Sequence, residues 1–144
     1  MPLVTRNQAK LTIEGARAVL EAARRRAEEI KVPMNIAVVD DGGHLLAFER
    51  MDGAKPASIA ISLVKAQAAA MRRAPTGATK TADGVNLPVA LGLAIASPLG
   101  QTPIRGGFPL IVDSQVIGAI GVSAGAEDED SDVARAGVTV IEKV

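Results

Sequence analysis

The side chains able to move a proton or hold an anion are few in this chain, and they fall in three places. The first is the stretch Val38 to Ala54, which carries the single histidine, His44, with Arg50 and Asp52 close behind it. An imidazole titrates near neutral pH, and a guanidinium pairs with carboxylates. The second is Lys65, set in an otherwise apolar run. The third is Arg105-Gly106-Gly107, where a guanidinium precedes two residues that let backbone N–H groups approach a carboxylate or phosphate. Together they suit a small anionic molecule. His44 and Lys65 are the candidates for proton movement, and Arg50, Asp52, Arg105, Gly106 and Gly107 are the candidates for binding.

Plainer readings stand beside each of these. His44 and Arg50 can simply end a buried stripe and hydrogen-bond at its rim. A Gly-Gly before a strand is also an ordinary turn. Lys65 is either snorkelling to solvent along its apolar stem or held as a buried cation facing a partner.

Other chemistries find less support. The chain has no Cys, so thiolate metal sites and a cysteine nucleophile are excluded, and one histidine cannot build a His-rich zinc site. No P-loop, dinucleotide fingerprint or nucleophile-elbow pattern is present. Asp128, Asp130 and Asp132 alternate as in a calcium loop, but the central glycine is missing and Thr139 stands where the closing glutamate belongs. N-terminal capping of a helix by Asp130 or Ser131 explains that run better, and no metal site is expected.

The positioning elements follow from periodicity. Ile36 to Val39 and Leu45 to Phe48 flank Asp40-Asp41-Gly42-Gly43, which predicts a β-hairpin. Strict alternation would put His44, Leu46, Phe48 and Arg50 on one face of its second strand. Thr5 and Gln8 have the form of a capping box, so a first helix is expected from about residue 6 to about 30, with Val32-Pro33 ending it. Its Arg24-Arg25-Arg26 cluster reads as a solvated face, with Glu21 and Arg25 paired.

Ser58 to Arg73 predicts a second helix, apolar on nearly all sides, which suggests cover by a second subunit as well as by the sheet. Leu87 to Ala96 reads as a short helix between the loop signals Pro75-Thr76-Gly77 and Ala82-Asp83-Gly84 on one side and Arg105 on the other. Phe108 to Val112 and Val116 to Val122 form a second hairpin about Asp113-Ser114, and a last helix runs through Val133, Ala136, Val140 and Ile141.

At 144 residues one domain spanning 1–144 is expected. Lys+Arg and Asp+Glu both number 16, and Phe48 and Phe108 are the only aromatic residues. Neither a basic surface nor stacking platforms are there for nucleic acid. The longest apolar stretch, Leu87 to Ala96, is about half a membrane span, and the first residues lack the apolar core of a secretory signal. A cytoplasmic location with no membrane partner is the expectation.

Two segments carry a family resemblance. One is Val39-Asp40, Gly43-His44-Leu45, Phe48 and Arg50-Met51-Asp52-Gly53-Ala54; the other is Gly106-Gly107-x-Pro109 leading to Ile117-Gly118-Ala119-Ile120-Gly121-Val122-Ser123. Between them, Ser58, Lys65-Ala66 and Ala69 fit the same pattern. The chain resembles the GlcG/HbpS-like proteins, also called the haem-degrading or PduO C-terminal-like domain family.

The resemblance implies an α/β (α+β) fold, with a central antiparallel β-sheet of two hairpins packed by helices in a three-layer domain related to profilin-like and PAS-like layouts. It also implies assembly into homo-oligomers, dimers or higher. Some members bind haem, and a few bind corrinoids. Here His44, or more weakly Met51, would be the axial donor to haem, with Arg50 and Arg105 holding propionates. The expectation is an oligomeric small-ligand-binding protein with its site near a subunit interface. The alternative is a catabolic enzyme, of lyase or isomerase type, acting on a carboxylated substrate.

Overall fold

The computed structural model describes residues 1–78, 80–82 and 84–144. Helix α1 (Ile13–Glu29) is followed by strands β1 (Asn35–Asp40) and β2 (Leu45–Arg50), then by α2 (Ser58–Arg72). The short strands β3 (Lys80–Thr81) and β4 (Gly84–Val85) precede α3 (Leu87–Ala96). Strands β5 (Gly107–Val112) and β6 (Gln115–Ser123) lead to α4 (Glu127–Glu142). The four longer strands form one antiparallel sheet in the order β2-β1-β6-β5, and β3 pairs with β4 separately. The expected α+β architecture, with two hairpins side by side, is what the chain adopts. Of the loop signals read at Ala82-Asp83-Gly84, Asp83 lies outside the described residues.

Helices α1 and α4 cover one face of the sheet, where Val19, Ala23, Val133 and Ile141 pack on Ile36, Val38, Ile120 and Val122. Helix α2 covers the other, with Ala66, Ala69 and Ala70 against Ala37, Val39 and Ala119. Gly107 and Gly121 are cross-strand neighbours beneath α2. A Cβ on Gly121 would stand 2.1 Å from the Ser62 carbonyl oxygen, and one on Gly107 would stand 2.3 Å from that of Lys65. The paired glycines therefore let the helix backbone rest almost directly on the sheet. That explains why α2 is rich in small residues, and it accounts for the cover expected from the sheet. Its own sheet buries Ser58, Ser62, Lys65, Ala66, Ala68, Ala69 and Ala70, leaving Ile61 and Met71 as its exposed large apolar residues.

Three local expectations also change. The first helix begins at Ile13, because Thr12 is its cap: the Thr12 hydroxyl accepts from the Gly15 N–H at 3.0 Å, while Gln8 merely donates to the Thr5 side chain. Helix α4 begins at Glu127, ahead of Asp130 and Ser131, and the Glu129 carboxylate accepts from the Ala126 N–H at 2.9 Å. In β2 the register shifts opposite Val38 and Val39, so strict alternation fails. Leu46 and Ala47, although consecutive, both pack toward α1 and α4, whereas Phe48 packs toward α2. The face expected to be common to His44, Leu46, Phe48 and Arg50 is broken by this bulge.

Candidate functional site

Lys65 is 1% exposed on α2 and reaches past the end of the sheet to α4. Its ammonium donates to Asp130 Oδ2 and to the Val122 carbonyl, each at 2.8 Å. Asp130 Oδ1 accepts from the Gly125 N–H at 2.9 Å. Burial pushes the Asp130 carboxyl above the usual carboxylate range, opposed by the Lys65 ammonium. Of the two readings left open for Lys65, the structure selects the buried cation and supplies its partner from within the chain.

The Arg105-Gly106-Gly107 segment lies over this pair. Gly106 has φ +125°, and a Cβ there would meet the Val122 carbonyl oxygen at 2.7 Å and Lys65 Nζ at 2.9 Å. Gly107 donates its N–H to the Thr76 hydroxyl at 2.9 Å and accepts from the Thr76 N–H at 3.0 Å. These bonds tie the loop after α2 to the start of β5. Both glycines are buried, and their lack of side chains is what lets the loop close over Lys65.

Arg105 emerges on the outer side of the segment. It pairs with Glu127 at 3.1 Å and Asp128 at 2.8 Å, so the first turn of α4 holds its guanidinium. Beside it opens a cleft of about 560 Å³ lined by Arg72, Thr76, Gly77, Val85, Pro103, Arg105 and Glu127, among others. That volume lies in the usual range for a small-molecule site. Among the described residues Arg72 makes no ion pair. Two arginines, a threonine and apolar surface thus share one concavity, an arrangement that suits a ligand with carboxylates on an apolar body.

The other predicted residues lie elsewhere. His44 is exposed where β1 turns into β2, with its N–H donated to Asp40 Oδ1 at 3.0 Å. Strand β2 is one edge of the sheet and β5 the other, and the register runs Gly107–Gly121–Ala37–Phe48 across it, so three strand spacings, roughly 15 Å, and a further step along the chain from Phe48 separate Gly107 from His44. Arg50 and Asp52 are exposed, and Asp52 lines a shallow depression with Arg24, Glu28, Glu49 and Met51. Asp128, Asp130 and Asp132 turn to three different cations, Arg105, Lys65 and Arg26. Lys65, Arg105, Gly106 and Gly107 are brought together; His44, Arg50 and Asp52 do not join them. Arg72, Thr76 and Asp130 were not picked out as site residues by their local sequence. The seven-residue step from Lys65 to Arg72, two helical turns, is the signal that could have found the first of these.

A model of the family described as haem-degrading protein HbpS-like matches residues 11–139. The chain belongs to the HbpS-like family. Protein GlcG of Escherichia coli K12 is 40% identical over 115 residues, covering 78% of this chain and 81% of GlcG. Among solved structures, the Klebsiella pneumoniae protein ORFY superimposes with a TM-score of 0.85 at 31% identity, covering 100% of this chain and 99% of ORFY. PduOC in complex with haem superimposes with a TM-score of 0.80 at 27% identity, covering 92% and 95% of the two chains. Among the described residues, no helix is long and apolar enough to cross a membrane.

Proposed function

We propose that this HbpS-like chain is a homo-oligomeric, cytoplasmic binding protein for a small carboxylate-bearing ligand, which it takes up in the cleft between Arg72 and Arg105. The observation that carries this reading is Arg72, without an ion pair among the described residues, sharing one cavity with the Glu127- and Asp128-held Arg105. A ligand carboxylate gains charge-assisted hydrogen bonds there, and the apolar wall covers its body.

The haem complex of a structural neighbour makes haem a candidate ligand. The cleft fits its propionates better than its iron, because no His, Met or Cys lines it among the described residues. Recognition here accordingly rests on carboxylates, and iron-free protoporphyrin IX should bind about as well as haem. The enzyme reading keeps one supporting observation: a buried Lys65–Asp130 pair lies directly beneath the Arg105-Gly106-Gly107 segment that borders the cleft. Turnover of the bound carboxylate that is lost in Lys65→Arg would favour that reading.

The test is calorimetric titration of the full chain with succinate and citrate, and absorbance titration with haem and protoporphyrin IX. Arg72→Ala and Arg105→Ala should each weaken binding by about tenfold or more, the loss of a charged hydrogen bond. No binding by the wild type, or unchanged affinity in both variants, would overturn the assignment.

A further inference from the structure

From Gly84 to Ile104 the sequence holds no charged residue, and α3 lies at the centre of that stretch. The helix buries only Ala90. Leu87, Leu91 and Ile95, at successive four-residue steps, are 60%, 56% and 80% exposed, and Val89 and Leu93 open a second apolar side. A ten-residue helix is marginal in water by itself. One that is apolar all round calls for cover on several sides, and this chain supplies it on one.

The chemistry of the patch identifies what covers it. A membrane-surface helix carries a cationic polar face beside its apolar one, and here that face is missing. A different protein partner is ordinarily steered and registered by complementary charge, which the stretch also lacks. In a two-fold contact with a second copy the patch meets itself, so residues near the axis face their own equivalents, where any charge would meet its like. A charge-free apolar surface suits that arrangement.

The patch also runs into the cleft. Val85, which leads into α3, is 51% exposed and lines the cavity, and Ile104, at the far end of the uncharged stretch, precedes Arg105. We propose that α3 is the self-association surface of this protein and that the second copy seated on it walls the open side of the Arg72–Arg105 cleft. Assembly and carboxylate binding are then thermodynamically linked, each strengthening the other. The linkage rests on the cleft reading given above, while the surface assignment does not.

The experiment is sedimentation of the full-length wild type and of Leu91→Glu/Ile95→Glu over a concentration series, with citrate calorimetry on both. Each substituted side chain faces solvent within one chain and glutamate is a good helix former, so circular dichroism and the urea midpoint should be unchanged. The expected result is an oligomeric wild type, a monomeric variant, and citrate affinity lower by about tenfold in the monomer.

An oligomeric variant overturns the surface assignment. So does a monomeric wild type, including one that floats with phosphatidylcholine/phosphatidylglycerol vesicles. Equal citrate affinity in the two states overturns the closure. Failure of citrate to bind the wild type overturns the cleft reading and the linkage together, while sedimentation still decides the surface.

Discussion

Lys65 and Asp130 belong to helices packed on opposite faces of the sheet, yet their side chains meet at 2.8 Å with 1% and 3% of their side-chain surface exposed. The contact fastens α2 to α4 at the end of the sheet, beneath the loop that carries Arg105. Burying two charges carries a desolvation cost that their attraction only partly offsets, so the pair is a poor source of net stability. Breaking it is another matter, because the surviving charge stays buried without its partner.

Lys65→Met and Asp130→Asn should therefore each destabilise the chain by about 3–5 kcal/mol, whereas Lys65→Met/Asp130→Leu should lie close to wild type. Urea denaturation of the three variants checks this. Single variants as stable as wild type would show that the pair is not held dry in solution.

The raised Asp130 pKa sets the sign of a pH effect. Above the unfolded carboxylate value, about 3.9, and up to the raised folded value, the folded chain binds more proton at this site than the unfolded chain. Stability from this group consequently falls as pH rises through that window. The advantage of wild type over Asp130→Asn should shrink as the pH rises above the unfolded carboxylate value. An advantage that grew with pH would mean that Lys65 outweighs burial.

The glycines over and under α2 give a steric prediction. Gly121→Ala would drive a Cβ against the Ser62 carbonyl oxygen, and backbone on both sides leaves no flexible group to yield. Gly106→Ala adds a positive-φ cost to contacts with Val122 and Lys65. Overpacking of this kind costs about 1–3 kcal/mol, occasionally more. Gly121→Ala should exceed that range, and Gly106→Ala should also weaken citrate binding by moving Arg105. Equilibrium unfolding and calorimetry read the two effects; a Gly106→Ala protein with wild-type affinity would separate the loop from the cleft.

Much of this arrangement is legible in the sequence because it depends on period and turn chemistry. The two hairpins, α2 and the Leu87–Ala96 helix follow from apolar spacing and from glycines and aspartates at reversals. What escapes is long-range or one residue deep. The β2 bulge shifts side chains between faces without changing the apolar content of the strand. Asp130 looks like one more carboxylate at a helix start, and only the fold shows that the lone lysine of α2 waits for it. The apolar content of α2 is plain in the sequence, but periodicity cannot reveal that Gly107 and Gly121 let that helix rest on the sheet while α3 stands clear.

The separation of His44 from the cleft yields the last prediction. His44 is exposed at the hairpin end, and the residues fixing the turn are Asp40 and Gly43: Asp40 Oδ1 accepts from the Gly42 N–H at 2.9 Å, and Gly43 takes φ +81°. Among the described residues the imidazole makes no hydrogen bond in that turn, and it does not line the cavity. His44→Ala should change stability by no more than about 0.5 kcal/mol, as surface substitutions usually do. It should leave citrate affinity where it was, while Arg72→Ala lowers it. A His44→Ala protein that loses carboxylate binding would place the imidazole at the site, through contacts that form only when copies of the chain assemble.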